Sequence, residues 1–590
     1  MNVPAATHEV LNQSAALTGH NVYSGDRALR DALAFHAPGA DETARVALGA
    51  LLGSEPMQTH ARLANVHKPT LHTHDRFGHR SDSVEFHPSY HALLGAAVGA
   101  GLHATPWSLG PGSHLEREGP RGGAHIEREG PRGGAHIERE GPRDGAHIER
   151  AAGFLMFTQL EPSVLCPVSM SYAVTPALRG NSAVFNDWFG KLTSTQYDPR
   201  LAFVGAKIGV TMGMGMTEKQ GGSDVRANTT RAEFVEDTAW GRCYRLVGHK
   251  WFFSAPMSDA FLVLAQTAAG LSCFFLPRVL PGGSLNGINI QRLKDKLGNH
   301  ANASAEVEFN GALAWLVGEE GRGIPQILEM GTLTRLDCAL GTAGLMRAAV
   351  ALALHHCAQR QAFGKRLIEQ PLMQNVLADL ALESEAATAL AMRLARAVDK
   401  QDDPFETLMR RVLTPVAKFW VCKRGSMLAQ EAMECLGGNG YVEDHGEGTM
   451  ARIYREMPLN SIWEGAGNIM ALDLLRALRK RDGRNADVLQ ALEAELATAR
   501  GTAAFYDRFV DALLARFADA ADSDGGEAGA RRLAQDVALA VQASLLRRHA
   551  PDFVFDAFCR SRLGSGGPQV FGTLSSNAAF DAIIQRAMPH

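Results

Sequence analysis

Residues 216–224 read Met-Thr-Glu-Lys-Gln-Gly-Gly-Ser-Asp, and they lie where a strand gives way to a glycine-bearing loop. Two hydroxyls, exposed backbone N–H groups and paired glycines suit close approach to a flat polar ligand. An unliganded turn uses the same residues. Working outward from this stretch, short β-branched and aromatic runs alternate with turns: YRLVG, WFFSA, AFLVLAQ, SCFFLP and AEVEF. They predict a middle antiparallel β-domain over 206–318. Within it, Gly248 to Ser254 carries three consecutive aromatics. Strand alternation puts Trp251 and Phe253 on one face and Phe252 on the other, either against a planar ligand or in a core.

Beyond the β-domain the period changes. Met373, Val376, Leu377 and Leu380 follow the i, i+3, i+4, i+7 spacing of a buried helical face. Long helices near 327–361, 371–399 and 404–436 predict an antiparallel bundle within 319–482. Gly437 and Gly438 stop the third. Residues 1–205 mix helical patches with loops. There, 112–150 contain an eleven-residue unit, HLEREGPRGGA, repeated as HIEREGPRGGA and HIEREGPRDGA and then HIER. Its Gly-Pro steps and balanced charges predict a mobile surface insertion. Residues 483–590 form an Ala- and Leu-rich helical tail with eleven Arg, no Lys and thirteen acidic residues.

The 590 residues call for several domains, and 46% apolar with 21% charged is ordinary for a globular chain. A net charge of -4 excludes a general polyanion binder and leaves room only for a local basic patch. The eight cysteines are scattered with no CxxC pair, which speaks against a zinc cluster or a disulfide framework. A reducing cytoplasm fits. The first residues lack a signal peptide's basic and apolar regions. No apolar run is read as long enough to span a membrane. His87 and His91 have i, i+4 spacing but no acid or Cys to complete a site, so no metal is expected.

Three further segments carry chemistry. Arg360, with Phe363-Gly364 just after a long helix, can reach a diphosphate or serve as a helix-end partner. Leu436 to Tyr441 presents bare backbone after a helix, or merely caps it. Ile462 to Met470 places Glu464 between Trp463 and Gly465 in an apolar setting, where an acid is costly unless used or paired. Arg335 and Asp337 read as a structural pair on a bundle helix.

Taken together, in this order, the motifs closely resemble the acyl-CoA dehydrogenase flavoprotein family. MGMGMTEKQGGSDV, LVGHKWFFS, RLKDKLGN and NSIWEGAGNIM are most similar to its bacterial alkylation-response branch. The resemblance covers most of the chain, with the repeat as an insertion. It implies an α+β architecture: an N-terminal helical domain, a middle β-domain, a C-terminal four-helix bundle and, in this branch, an extra helical domain at the tail. It implies FAD, held by Met216, Thr217, Gly222, Ser223, Phe252, Phe253, Ser254, Arg360, Phe363, Gly437, Gly438, Trp463, Gly465, Asn468 and Arg476. Arg360 would reach the FAD of a neighbouring subunit in a homotetramer. Glu464 matches the catalytic base. Another branch carries its base in the first bundle helix, but Thr334 stands there in Leu333-Thr334-Arg335-Leu336. The branch further implies an acyl-CoA ligand, weak isovaleryl-CoA-like dehydrogenase activity, and double-stranded DNA bound by the tail in an adaptive response to alkylation. The arginine pairs Arg531-Arg532 and Arg547-Arg548 are the candidate DNA contacts. The alternative is an ordinary dehydrogenase of short or branched acyl-CoAs. No membrane partner is expected.

Overall fold

The computed structural model describes residues 8–108, 143–478, 485–522, 526–564 and 570–589. Most of the repeat therefore lies outside the described residues. The N-terminal part contains α1 (Arg27–His36), α2 (Thr43–Leu52), α3 (Glu55–Val66), the hairpin β1 (Thr70–His74) and β2 (Arg80–Glu85), α4 (Pro88–Gly99), α5 (Ala146–Leu160), α6 (Leu165–Leu178) and α7 (Ser182–Leu192). Side chains set several starts: Asp26 accepts from the N–H of Leu29, and Asn181 from that of Val184.

The end of the repeat departs from the expected loop. His147 to Arg150, in the last HIER, lie in α5, and Arg150 is 2% exposed. Its guanidinium is bidentate on Asp337 and lies 3.8 Å over the Tyr172 ring. A charge this deep is stable only with such a partner, so the insertion ends before Ala146. The same contact corrects the expected Arg335–Asp337 pair, because Asp337 is committed to Arg150.

The middle domain comprises β3 (Met212–Gly215), β4 (Arg231–Thr238), β5 (Gly241–Ser254), β6 (Ala260–Thr267), β7 (Gly270–Pro277), β8 (Ile288–Leu293) and β9 (Ser304–Val317). The strand order is β3-β6-β4-β5-β9-β7, with β8 on β9, and β7 returns to β6 so that the sheet closes on itself. It is antiparallel except where β6 takes β3, and the first residue of β4, in parallel. Its interior is filled by Tyr244, Leu246, Phe253, Phe261, Phe274 and Phe309.

The bundle contains α8 (Gly323–Gln359), α9 (Pro371–Asp399), α10 (Pro404–Cys435), the single turn α11 (Gly438–Tyr441), α12 (Thr449–Asn460) and α13 (Gly467–Leu478). Proline opens α9 and α10, where its missing N–H costs nothing. Gly437, at φ +59°, lets the chain leave α10. Among the described residues one stretch is long and apolar enough to cross a membrane after all, in α8, but 89% of that stretch is buried and α5, α6, α9 and α10 pack around the helix. It is the bundle's core helix.

The tail forms α14 (Asn485–Ala497), α15 (Ala504–Asp522), α16 (Ala530–His549), α17 (Asp552–Arg562) and α18 (Phe580–Ala587). It is joined to the bundle by buried charge. Arg562 binds Asp379 and Glu383 on α9, Arg586 binds Glu385, and Glu495 binds Arg393.

Candidate functional site

The loop after β3 is anchored by Glu218, which is fully buried. Its carboxylate accepts from Lys250 Nζ (2.8 Å), Thr230 Oγ1 (2.6 Å) and the Thr229 N–H (2.7 Å). Burial disfavours that charge, but Lys250, Thr230 and Thr229 outweigh it and hold the carboxyl well below the usual range. Lys250 is itself lowered to about 8 by burial, which Glu218 only partly offsets. Glu218 is buried, Thr217 is half-buried, and Gly222 and Ser223 are exposed. Gly222 lies against Thr217: a Cβ there would meet Thr217 Oγ1 at 2.4 Å.

The structure brings this loop to the aromatic strand. The Trp251 N–H donates to the Thr217 carbonyl (2.8 Å), and the Lys219 N–H to His249 Nε2 (3.0 Å). A bulge between Lys250 and Phe253 alters the expected alternation. Trp251 and Phe252 share one cation, with Lys294 Nζ 3.3 Å and 4.8 Å from their ring centres. Phe253 alone turns inward, fully buried and 4.1 Å from the Phe261 ring centre. A ring enclosed on all sides offers no face to a cofactor, so Phe253 is a core residue and is withdrawn from the cofactor set. Phe252 is 51% exposed beside the loop.

Glu464 lies between α12 and α13 at φ +57°. That left-handed conformation costs an L-residue on the order of 1–3 kcal/mol and needs fixing by its surroundings. Three side chains fix it. Thr334 Oγ1 donates to Glu464 Oε2 (2.5 Å), Arg335 Nε to the Glu464 carbonyl (3.0 Å), and Lys418 Nζ to the Gly465 carbonyl (2.6 Å). Asp473 in turn holds Arg335 (3.4 Å) and Arg411 (2.9 Å). Trp463 donates to Asn460 (3.0 Å). Asn468 and Arg476 are exposed on α13.

Cys166 on α6 links the two halves. Burial pushes its thiol up to about 12, while Lys296, Asn302, Glu464 and Ser254 all act on it. Ser254, at the end of β5, and Glu464 both lie near this half-buried thiol. Lys296 Nζ is held there by the Asn302 carbonyl (2.5 Å) and Ser304 Oγ (3.1 Å). The sequence reading missed Lys418, Cys166, Lys296 and the anchoring roles of Thr334 and Arg335. Lys418 was findable: it is the lone charge in Pro415 to Val421, an apolar stretch in which it is 1% exposed.

Arg360, Phe363, Gly437 and Gly438 are elsewhere. Thr334 and Gln359 are 25 residues apart on one helix, which at ~1.5 Å per residue separates them by about 38 Å. Within one chain, a single flavin cannot lie beside both Glu464 and Arg360. The distant group is assembled at the far end of α8 and α10, across which residues 12–15 run. Asn12 accepts from Arg360 and the Gln361 N–H, and Asn439 donates to Gln13 (3.0 Å). Phe363, at φ +53°, is 99% exposed, and Tyr441 is 77% exposed close by in the same end.

The four tail arginines differ. Arg548 is held by buried Glu495 (2.5 Å), and Arg547 by Asp552 (2.8 Å). Arg548 is thus a structural residue and not a free phosphate contact. Arg532 pairs with Asp536, whereas Arg531 is exposed and lies 5.7 Å over Phe419.

A flavin fits the first group of residues. Half-buried Thr217, the exposed residues 221–224 with the Ser223 hydroxyl, and the half-exposed Phe252 ring supply a polar and aromatic surface for it. The comparisons agree. "Acyl-CoA dehydrogenase, C-terminal domain" matches residues 321–479, "Acyl-CoA dehydrogenase, middle domain" matches 213–312, and "Adaptive response protein AidB N-terminal domain" matches 12–120 and 133–199. The chain is 46% identical over 524 residues to AidB of Escherichia coli (strain K12), covering 88% of this chain and 89% of that one. Among solved structures, ACDH-11 of Caenorhabditis elegans in complex with C11-CoA superimposes with a TM-score of 0.79 at 25% identity, over 95% of this chain and 94% of that one. Bd2924 in its apo-form gives 0.76 at 27% identity, over 91% and 99%. With its three matched domains and the corner around Glu464, the chain belongs to the acyl-CoA dehydrogenase family, in its AidB-like part, and is an FAD-dependent dehydrogenase by class.

Proposed function

We propose that Glu464 is the base that takes the α-proton of an acyl-CoA thioester in an AidB-like flavoprotein of the alkylation response. The observation that carries this is the Glu464 carboxylate itself. It is held in a left-handed loop by Thr334 through Oε2, leaving Oε1 for a proton. Bound FAD supplies the acceptor for the hydride that leaves the β-carbon. Thr217, Ser223, Phe252 and Ser254 position that cofactor, and Arg335 and Lys418 keep the base from swinging away. Distance supports a second chain at each site: Arg360 and Phe363 serve a partner's cofactor, consistent with a tetramer. Weak isovaleryl-CoA-like turnover, a cytoplasmic location and duplex DNA bound through Arg531 and Arg532 complete the reading.

The test is a screen of acyl-CoAs by bleaching of the flavin absorbance. The wild type bleaches with at least one short or branched acyl-CoA. Glu464→Gln keeps its flavin and loses bleaching by ~10²-fold or more, as expected for removing a general base. Full bleaching by E464Q refutes the assignment. In the same preparation, Arg531→Gln/Arg532→Gln lowers salt-dependent duplex binding. Duplex binding equal to wild type sinks the DNA reading alone.

A further inference from the structure

A cavity of about 900 Å³ opens where α10 faces α15, α16 and α17. Its size is that of a pocket enclosing one small organic ligand, roughly 300–1,000 Å³. The wall is cationic. Lys423, Arg508 and Arg531 line it without a carboxylate partner among the described residues, and the one acid that lines it, Asp536, is already committed to Arg516 (2.8 Å) and Arg532 (2.9 Å). Arg516 Nε is buried there with no acceptor. Like charges converging on a cavity repel unless an anion neutralises them.

Part of the wall is aromatic. Phe419, Trp420, Phe505 and Phe509 line the cavity, and two of the unpaired cations lie over rings, Arg508 5.1 Å from the Phe505 centre and Arg531 5.7 Å from Phe419. Guanidinium forks match phosphate oxygens two at a time. Three unpaired cations exceed what a single carboxylate would neutralise. The Phe505 ring, 39% exposed, offers a face on which a heterocyclic base can stack.

We propose that this cavity binds a small phosphorylated aromatic ligand of the purine-nucleotide class. The inference is independent of the dehydrogenase site. Its test is calorimetric titration of the full-length, FAD-loaded protein with ATP at low salt. The expected result is one saturable site per chain, weakened at least tenfold by Arg508→Gln and by high salt. Adenosine and inorganic phosphate should each bind at least tenfold more weakly than ATP. R508Q retains wild-type flavin content and bleaching, which separates loss of this site from failure of the dehydrogenase reading. Should R508Q not fold, Lys423→Gln on α10 serves the same purpose. The proposal is overturned if ATP does not bind the wild type, if both variants bind ATP as the wild type does, or if a short DNA duplex binds while ATP does not.

Discussion

Arg562→Met should destabilise the whole chain rather than loosen its last hundred residues. Arg562 is 3% exposed on α17, and its guanidinium contacts Asp379 and Glu383 on α9. Glu383 also takes Arg424 (2.8 Å), and Asp379 also accepts the Gly572 N–H (2.9 Å). Two cations and two carboxylates thus balance in a closed buried cluster. Burial alone would raise the Glu383 carboxyl, yet Arg424 and Arg562 hold it down to about 2. Removing one cation leaves a net buried negative charge, and breaking such a pair costs about 3–5 kcal/mol. Methionine fills the volume, so the loss comes from charge and not from a cavity. Urea unfolding followed by circular dichroism and by flavin release is the assay. Both midpoints should fall together, because α9 belongs to the flavin-bearing bundle. Asp379→Asn in the R562M background removes the unpaired acid and should recover more than half of the loss. A cost under about 1 kcal/mol for R562M, or no rescue, refutes the idea that buried charge joins tail to bundle. The same cluster means that cutting the chain near residue 483 is a poor test of tail function, since it would leave the buried Asp379 and Glu385 without their arginine partners.

Gly222→Ala places a Cβ 2.4 Å from Thr217 Oγ1; overpacking of ~1–3 kcal/mol should lower flavin occupancy several-fold at unchanged helix content, and full occupancy would show that the loop does not hold the cofactor. Thr334→Val removes the donor to Glu464 Oε2; a hydrogen bond to a charged group is worth about 1.5–3 kcal/mol, so acyl-CoA reduction of the flavin should slow roughly tenfold or more in stopped flow with substrate affinity little changed, and an unchanged rate would leave Thr334 without a positioning role. Glu456 is buried, and its carboxyl is raised to about 7, chiefly by burial and then by Glu161, against the opposing Asn299 bonds and Lys296. Because the folded value lies above the unfolded one of about 4.5, its contribution is fully present at acid pH and is lost as pH rises towards and through 7. The stability difference between Glu456→Gln and wild type should therefore move in favour of the variant from pH 5 to pH 8, and a difference flat across that range contradicts the raised carboxyl.

What could be read without coordinates follows the range of the interactions. Helix limits in the bundle were legible because Pro371, Pro404 and Gly437 act on their own backbone. The flavin loop was legible because its glycines and hydroxyls are contiguous. Alternation correctly opposed Phe252 to Phe253 but could not say which faced the core, and the bulge that brings Trp251 and Phe252 to one cation leaves no mark in a strand pattern. The pairing of Arg150 with Asp337 spans 187 residues and that of Arg562 with Asp379 spans 183. Those partners were invisible, so a buried arginine at the end of a repeat was read as loop, and Arg548, committed to Glu495 53 residues away, was read as a candidate DNA contact.

Backbone strain separates the two halves of the proposed site. Three candidate-site neighbours are non-glycine residues in the left-handed region: Ala255 (φ +49°), Phe363 (φ +53°) and Glu464 (φ +57°). Ala255 follows Ser254, and Ser254 and Glu464 both lie near Cys166. The strain at Ala255 and Glu464 is restrained by partners within the chain, the Ala303 carbonyl for one and Thr334, Arg335 and Lys418 for the other. Phe363 is at the far end of α8 with its ring almost wholly in solvent. There the strain is held only from the backbone side, by the short pairing of Gln361 and Ala362 with Lys365 and Arg366 and by Asn12. A bulky apolar side chain in a costly conformation, presented outward, gains nothing in an isolated chain. It gains if a second copy covers it, and the roughly 38 Å along α8 then ceases to be an obstacle, because Arg360 and Glu464 would serve two different cofactors.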